Sequence, residues 1–432
     1  MLLIALFGTC AEETEPLDVS ADSPTELTEQ SVSSDQNGDG WPVGADCDDQ
    51  DASIYPLATE TCGDGIDQDC DGGDLCAEEL SVHDAERVLT SELAGGMAGT
   101  SVAVFDLDDD GLYEVLIAAP YADRATLVDG THTGSIAGER HFMAEAWTVA
   151  AGSDLDDDGR PEVAIAAPYD DGGAVYLLER WTDDLVPADA DGVLYGETGD
   201  LAGIAMVLRP DALWVLSPGA CSSGAVYGAR DVLRDEQPLL DAETRICAPV
   251  GTDLDVADLD GDGVDDLLLA RHGDRPASVV LSAWEETSIE GPGWTGTASD
   301  PSVAVVGDVD GDGLNDFVVG PFLMTDLQAG ELSELALARF EDTWGELLVD
   351  PIEGAGDLDG DGYGELMLGD VSDGGAVWIA PGPMEGSWAV TRSVLVIGGE
   401  RSGAVHGAVD GVLWVAAPWA NDQAGLVALE TF

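Results

Sequence analysis

A chain of 432 residues with 88 acidic side chains against 14 basic ones, every basic one an arginine, carries a formal net charge of −74. Such a field repels nucleic acid and anionic lipid headgroups, which excludes them as partners, and it draws cations or basic partners instead. Adaptation to a salty habitat is an equally plain source for part of the acidity.

The first ten residues are a short apolar run ending in Cys10, too short to span a bilayer. The run resembles the end of a bacterial lipoprotein signal, in which Cys10 becomes the lipidated first residue. A simple secretory signal is the alternative, because no basic stretch precedes the run and Phe7-Gly8-Thr9 departs from the usual lipobox. Either way the expectation is export, as an outer membrane lipoprotein or an extracellular protein, with a lipid anchor as the membrane attachment. Residues 11–34 are acidic, rich in Ser and Thr and free of aromatics, the composition of a disordered tether.

Residues 35–78 read as a small Cys/Asp-rich module. Asp35, Asn37, Asp39 and Asp46 follow the spacing of a 12-residue EF-type loop, with Asp where Glu is usual. Cys47, Cys62, Cys70 and Cys76 allow three pairings that the sequence leaves open. With little apolar content, one or two Ca²⁺ ions and disulfides are expected to replace a core. Zinc and a merely charged linker are the competing readings. The segment resembles the metal-binding motif of secreted bacterial proteins and, more distantly, thrombospondin type-3 repeats.

From residue 84 to 432 one unit recurs. A spare strand, Arg87–Glu92, precedes it. Then come five copies of D-x-D-x-D-G-x-x-[D/E], with acids at Asp106, Asp108, Asp110 and Glu114; Asp154, Asp156, Asp158 and Glu162; Asp258, Asp260, Asp262 and Asp266; Asp308, Asp310, Asp312 and Asp316; and Asp357, Asp359, Asp361 and Glu365. Carboxylates at positions 1, 3 and 5 converge, and the Gly at 6 permits a turn with φ > 0. The main-chain carbonyl at 7 (Leu112, Arg160, Val264, Leu314, Tyr363) adds a ligand, and the acid at 9 closes an oxygen cage for a Ca²⁺-sized ion. Of the 88 acids, 23 lie in these five loops, so metal holding accounts for much of the charge. Each loop is followed by a short uncharged run such as Val115-Leu-Ile-Ala-Ala, a strand buried on both faces rather than an EF-hand helix.

A Pro or its equivalent ends that strand at Pro120, Pro168, Pro218, about Arg271, Pro321, about Asp370 and Pro418, a pitch of about 50 residues that suits propeller blades. Gly-Ala-Val segments at Gly173, Gly224 and Gly375 start the next strand. A third recurrent piece ends in Gly-Glu at Ser135–Glu139, Val193–Glu197 and Val394–Glu400. Seven units fit, two of them without an ion loop. The last lacks an outer strand, which Arg87–Glu92 can supply to close the ring; an open array is the alternative. Cys221 and Cys247 are close enough in the repeat for one further bridge.

These residues resemble the FG-GAP repeats of the integrin α-subunit propeller. Gly95-Gly-Met-Ala-Gly-Thr-Ser-Val-Ala stands for the family's Phe-Gly-x-Ser-Val segment, with Ala98 in place of Phe. The implied fold is an all-β, seven-bladed β-propeller with about five Ca²⁺ ions in hairpin loops. The resemblance also implies ligand binding on the rim opposite those loops, which would carry Tyr121, Tyr169, Arg271, His272, Phe322 and Trp419. No catalytic motif is present; the five His are scattered and Trp214, Trp378 and Trp414 fall at repeat positions, which suits blade packing. The expectation is therefore a non-enzymatic, monomeric binding or adhesion protein whose partner is a protein or glycan at the cell surface. The rival is a hydrolase or lyase acting on polysaccharide or phospholipid through a propeller face.

Overall fold

The computed structural model describes residues 47–48, 50–51, 53–54 and 78–432, the last without 84, 157, 231, 234–235, 272–276, 285–288, 296–300, 342–350, 359–361, 371–374, 385, 391–394, 399–404, 410–411, 421–424 and 432. Cys10, the loop acids Asp35, Asn37, Asp39 and Asp46, and Cys62, Cys70 and Cys76 lie outside the described residues, as do Asp359, Asp361 and His272.

Among the described residues the chain forms seven sheets, each built on four antiparallel strands. Blade 1 is typical: Val102–Phe105, Glu114–Ala119, Arg124–Val128 and Arg140–Phe142 run from the axis outward. The innermost strands of the later blades are Thr148–Ser153, Ala205–Arg209, Leu254–Ala257, Val303–Gly307, Ile352–Gly356 and Val405–Val409. Each touches the next, and the seventh touches the first, so the array is a closed ring. Second strands such as Glu114–Ala119, Glu162–Ala167 and Ala212–Ser217 are buried along their whole length, as sequences free of charge beyond an opening loop acid require. The apolar core lies between blades. Leu116, Leu127 and Phe142 of blade 1, for instance, pack on Val163, Ile165 and Tyr176 of blade 2.

Polar side chains stitch the innermost strands together where one sheet's edge meets the next. Thr148 Oγ1 donates to the Ile204 carbonyl at 3.1 Å and Ser153 Oγ to that of Leu208 at 3.3 Å, while Ser101 Oγ accepts from the Val149 N–H at 3.1 Å. Asp253 and Asp255 accept the N–H groups of Val303 and Val305 at 3.0 and 2.8 Å. Backbone groups that no ladder reaches are thus satisfied by the neighbouring blade.

The Gly-Ala-Val motif and the small-residue segment explain each other. Gly173 and Gly425 open their strands at φ 94° and 100°, and a Cβ there would lie 2.3 Å from the Ala202 N and 2.0 Å from the Ala98 carbonyl oxygen, respectively. Each glycine lets one blade's third strand press against the entry of the following blade, which is why Ala98 and Ala202 are buried.

Ring closure follows the expectation. Arg87–Thr90 pairs antiparallel with Leu426–Thr431 as the outer strand of blade 7. From there the Arg87 guanidinium donates to the carbonyls of His132, Tyr113 and Asp129 in blade 1 at 3.2, 2.9 and 3.0 Å. One expectation is corrected: the Ser135–Glu139 piece is not equivalent to Val193–Glu197. Gly134–Ser135 pairs in parallel with Arg87–Thr90 as a fifth strand on blade 7, and Arg140–Phe142 is the outer strand of its own blade. The same device recurs. Glu236–Pro238 adds to blade 2, Gly330–Glu331 to blade 4, Gly386–Ala389 to blade 5 and Glu78–Ser81 to blade 6, each in parallel. The segment that precedes a blade's outer strand thus laps onto the blade before it and covers that blade's edge. Cys221 and Cys247 are bonded, with Cα atoms 6.1 Å apart, across blade 3.

Gly425→Ala should destabilise the fold by at least about 1–3 kcal/mol, from the positive φ with the clash added. Gly138→Ala, where nothing lies within 4 Å, is the control and should shift the denaturation midpoint little. Equal midpoints for both variants would rule out this role for the close approach at Gly425.

Candidate metal sites and the propeller channel

The acidic nonapeptides form hairpin loops between the innermost and second strands, on one face of the ring. In the first, the N–H groups of Asp110 and Gly111 donate to the Asp106 carboxylate at 3.2 and 2.9 Å. The same pair of bonds recurs from Asp158 and Gly159 to Asp154, from Asp262 and Gly263 to Asp258, and from Asp312 and Gly313 to Asp308. In the fifth, Gly362 donates to Asp357 at 3.2 Å. Position 4 also needs φ > 0, met by Asp109 at 59°, Gly261 at 77° and Gly311 at 82°; the sequence showed this need at position 6 only.

Carboxylate oxygens of Asp154, Asp156, Asp158 and Glu162 lie within 4.8 Å of one another. So do those of Asp106, Asp108 and Glu114, of Asp258, Asp260 and Asp262, and of Asp308, Asp310 and Asp316. Three expected ligands stand outside these clusters. Asp110 and Asp312 turn an oxygen to the N–H of Leu112 and Leu314, both at 2.8 Å, and Asp266 gives both oxygens to the N–H groups of Leu259 and Ser282. At position 7, Leu112 and Leu314 expose their side chains, as residues contributing only main chain can.

The acids at position 9 (Glu114, Glu162, Asp266, Asp316 and Glu365) are all buried. One oxygen of each accepts the N–H of loop position 2, as in Val309 to Asp316 at 2.7 Å. The other oxygen of Asp316, a residue 0 % exposed, has no hydrogen-bond partner. Burial, and then the neighbouring loop aspartates, push the carboxyls of both Asp316 and Glu162 up to about 7. An orphaned, desolvated oxygen among convergent carboxylates fits a hard cation with oxygen ligands and no other common occupant.

On the opposite face, Tyr121 and Tyr169 are 62 % and 51 % exposed and pack edge-on against Trp147, with ring centroids 5.5 and 4.9 Å away. Trp419 is partly exposed there. Phe322 and Arg271 do not join this rim. Phe322, 5 % exposed, begins the strand Phe322–Met324 after a turn of two residues, so it packs inside the blade. Arg271, 8 % exposed, is engaged by its neighbours.

Trp147 also lines a cavity of about 710 Å³ in the central channel, with Thr148, Met206, Asp253, Glu353 and Trp414. Sequence reasoning missed this acidic group, whose only signal is Asp and Glu at innermost-strand positions outside the nonapeptides. Burial by the channel wall, reinforced by Asp255 and Asp253, holds the Glu353 carboxyl well above the usual carboxylate range. Burial likewise raises Asp255 against two backbone hydrogen bonds.

Two stretches, residues 98–137 and 146–178, match the FG-GAP repeat family, and residues 46–74 match the family described as "Putative metal-binding motif". These stretches are blades 1 and 2 and the Cys/Asp-rich segment, so the chain is a seven-bladed propeller that contains FG-GAP repeats. No curated protein matches the chain. Among solved structures it is similar to BBS1N in complex with ARL6DN, at 11 % identity and TM-score 0.45 over 82 % of this chain and 97 % of that one. It is also similar to the dihydro-heme d1 dehydrogenase NirN in complex with DHE, at 14 % and 0.37 over 64 % and 53 %. At such scores these likenesses add nothing to the fold, which rests on the strand pairings.

A carboxyl whose folded-state pKa is raised favours folding while protonated and loses that advantage as pH climbs through the raised value. With the loops saturated by cation, Glu353→Gln should therefore melt higher than the unsubstituted protein at pH 8 and about equally at pH 5. Parallel melting curves for the two across that range would refute the assignment of Glu353 to a desolvated channel.

Proposed function

We propose that the protein is an exported, calcium-stabilised propeller that acts in recognition or adhesion at a cell surface, binding a protein or glycan through the face opposite its ion loops. The observation that carries the calcium reading is the buried Asp316 carboxylate, with one oxygen on a backbone N–H and the other orphaned beside Asp308 and Asp310. Ca²⁺ accepts many oxygen ligands in flexible geometry, and loops that crowd three or four carboxylates suit it better than the small, water-retaining Mg²⁺. Calcium at millimolar level is an extracellular resource, and Cys221–Cys247 suits an oxidising compartment. The recognition reading rests on the exposed Tyr121–Trp147–Tyr169 cluster, since aromatic anchors of this kind carry much of the energy of interfaces.

Each filled site adds about 2.7 kcal/mol at a hundredfold excess of ion over Kd. Chelation should therefore lower the melting temperature steeply, Ca²⁺ should restore it, and Asp308→Asn/Asp316→Asn should reduce the bound stoichiometry by one. Melting indifferent to EDTA would sink the calcium reading. For recognition, glycan and protein arrays probed with Ca²⁺ should give hits that Tyr121→Ala/Tyr169→Ala loses without change in melting temperature. Turnover of a hit would replace binding with catalysis.

A further inference from the structure

On the ion-loop face, between blades 1 and 2, lies a second cavity of about 720 Å³, within the range of small-molecule sites. Arg140, Arg160 and Arg180 line it, three of the 14 arginines in a chain with 88 acids. Arg140 donates to the Trp181 carbonyl at 2.7 Å, which fixes its place in the wall. Among the described residues, neither Arg160 nor Arg180 forms an ion pair with a carboxylate. Trp181, 3 % exposed, also lines the cavity, and its buried indole N–H has no acceptor.

The same position between blades 3 and 4 provides an internal comparison. Trp284 there follows its blade's third strand as Trp181 does in blade 2. In that pocket, however, the cations are consumed: Arg209 pairs with Asp265 at 3.3 Å, and Arg230 pairs with Asp211 at 3.2 Å while stacking on the Trp284 ring at 3.8 Å. In one interblade pocket the cations are taken up by ion pairs. The other keeps its donors available.

We infer that the pocket between blades 1 and 2 is a binding site for an oxyanion, a carboxylate, sulfate or phosphate, carried on a sugar-sized ligand. The Arg160 and Arg180 guanidinium forks match such groups in bidentate fashion. The cavity is far larger than a bare anion needs. Asp106, Asp108, Asp109, Asp154 and Glu179 also line it; the loop aspartates repel an anion until cations fill their loops and Glu179 opposes it throughout, so binding is cation-dependent and the inference rests on the metal reading above. The site is on the face opposite the aromatic rim and is independent of it.

The test is calorimetric titration of the full chain with D-glucuronate, glucose 6-sulfate and glucose 6-phosphate, and with glucose as the neutral probe, in Ca²⁺ and in EDTA. Saturation of the loops is first established by the Ca²⁺ shift in melting temperature, so failure of the metal reading is seen separately. At least one acid should bind in Ca²⁺ in preference to glucose, and the tightest identifies the group carried by the natural ligand. Arg160→Gln/Arg180→Gln should weaken that binding at least tenfold, with melting temperature unchanged. Arg230→Gln in the self-paired pocket should leave it as it is. A Ca²⁺-loaded protein that binds none of the acids, binds glucose as well, or binds equally after the double substitution overturns the site.

Discussion

Five carboxylates are buried at the foot of five blades, and a buried anion has to be compensated. Half of the compensation is built into the hairpin, because the N–H of loop position 2 turns back onto the acid at position 9 and so joins the end of the innermost strand to the start of the second. At Glu162 and Asp316 the remaining charge faces the loop aspartates, whereas Glu114 and Asp266 give their second oxygen to the N–H groups of Gly130 and Ser282. Only a proton or an imported cation can settle that arrangement, as the raised carboxyls of Glu162 and Asp316 express. Fold and cation are therefore linked through these two carboxyls.

The second constraint is geometric. Seven sheets around an axis bring neighbouring blades together at distances where a side chain is often too much. Gly173 and Gly425 answer it by having none, and Ser101, Thr148 and Ser153 answer it with short hydroxyls that reach the next blade's backbone. Asp253 and Asp255 do the same job with charge, and this leaves Glu353 facing two carboxylates across the channel. The acidity of the channel is thus a by-product of stitching in blade 4. The Ser and Thr residues of blades 1 and 2 achieve the same closure without it.

These two constraints also separate what could be read from the sequence from what could not. The ion loops were legible because their ligands come from nine consecutive residues, and the buried second strands because of the uncharged run that follows each loop acid. The closing strand was legible because the last unit, which holds Leu426–Thr431, lacks an outer partner and Arg87–Thr90 has the right pattern. The parallel flaps were not legible: Gly134–Ser135, Glu236–Pro238 and Gly386–Ala389 share no pattern, since only the neighbouring blade's edge selects them. Phe322 was misplaced for a related reason. A rim residue and a strand residue differ there by the length of one turn, and composition does not encode that length. Cations in the pocket between blades 1 and 2 were likewise invisible, because Arg140, Arg160 and Arg180 come from three separate segments that meet only once the blades pack.

Arginine is the scarce resource of this chain, and where it goes shows how the two faces differ. Arg87 is spent on three carbonyls at the ring closure, a task that suits a planar, multi-donor group and would be poorly done by an ammonium; the absence of lysine fits that use. Arg209 and Arg230 neutralise aspartates beside the third ion loop. On the aromatic face, Arg124 follows the Tyr121 turn, Arg339 pairs with Glu341 and Arg271 is drawn inside. The ion-loop face combines fixed guanidinium groups with clustered carboxylates.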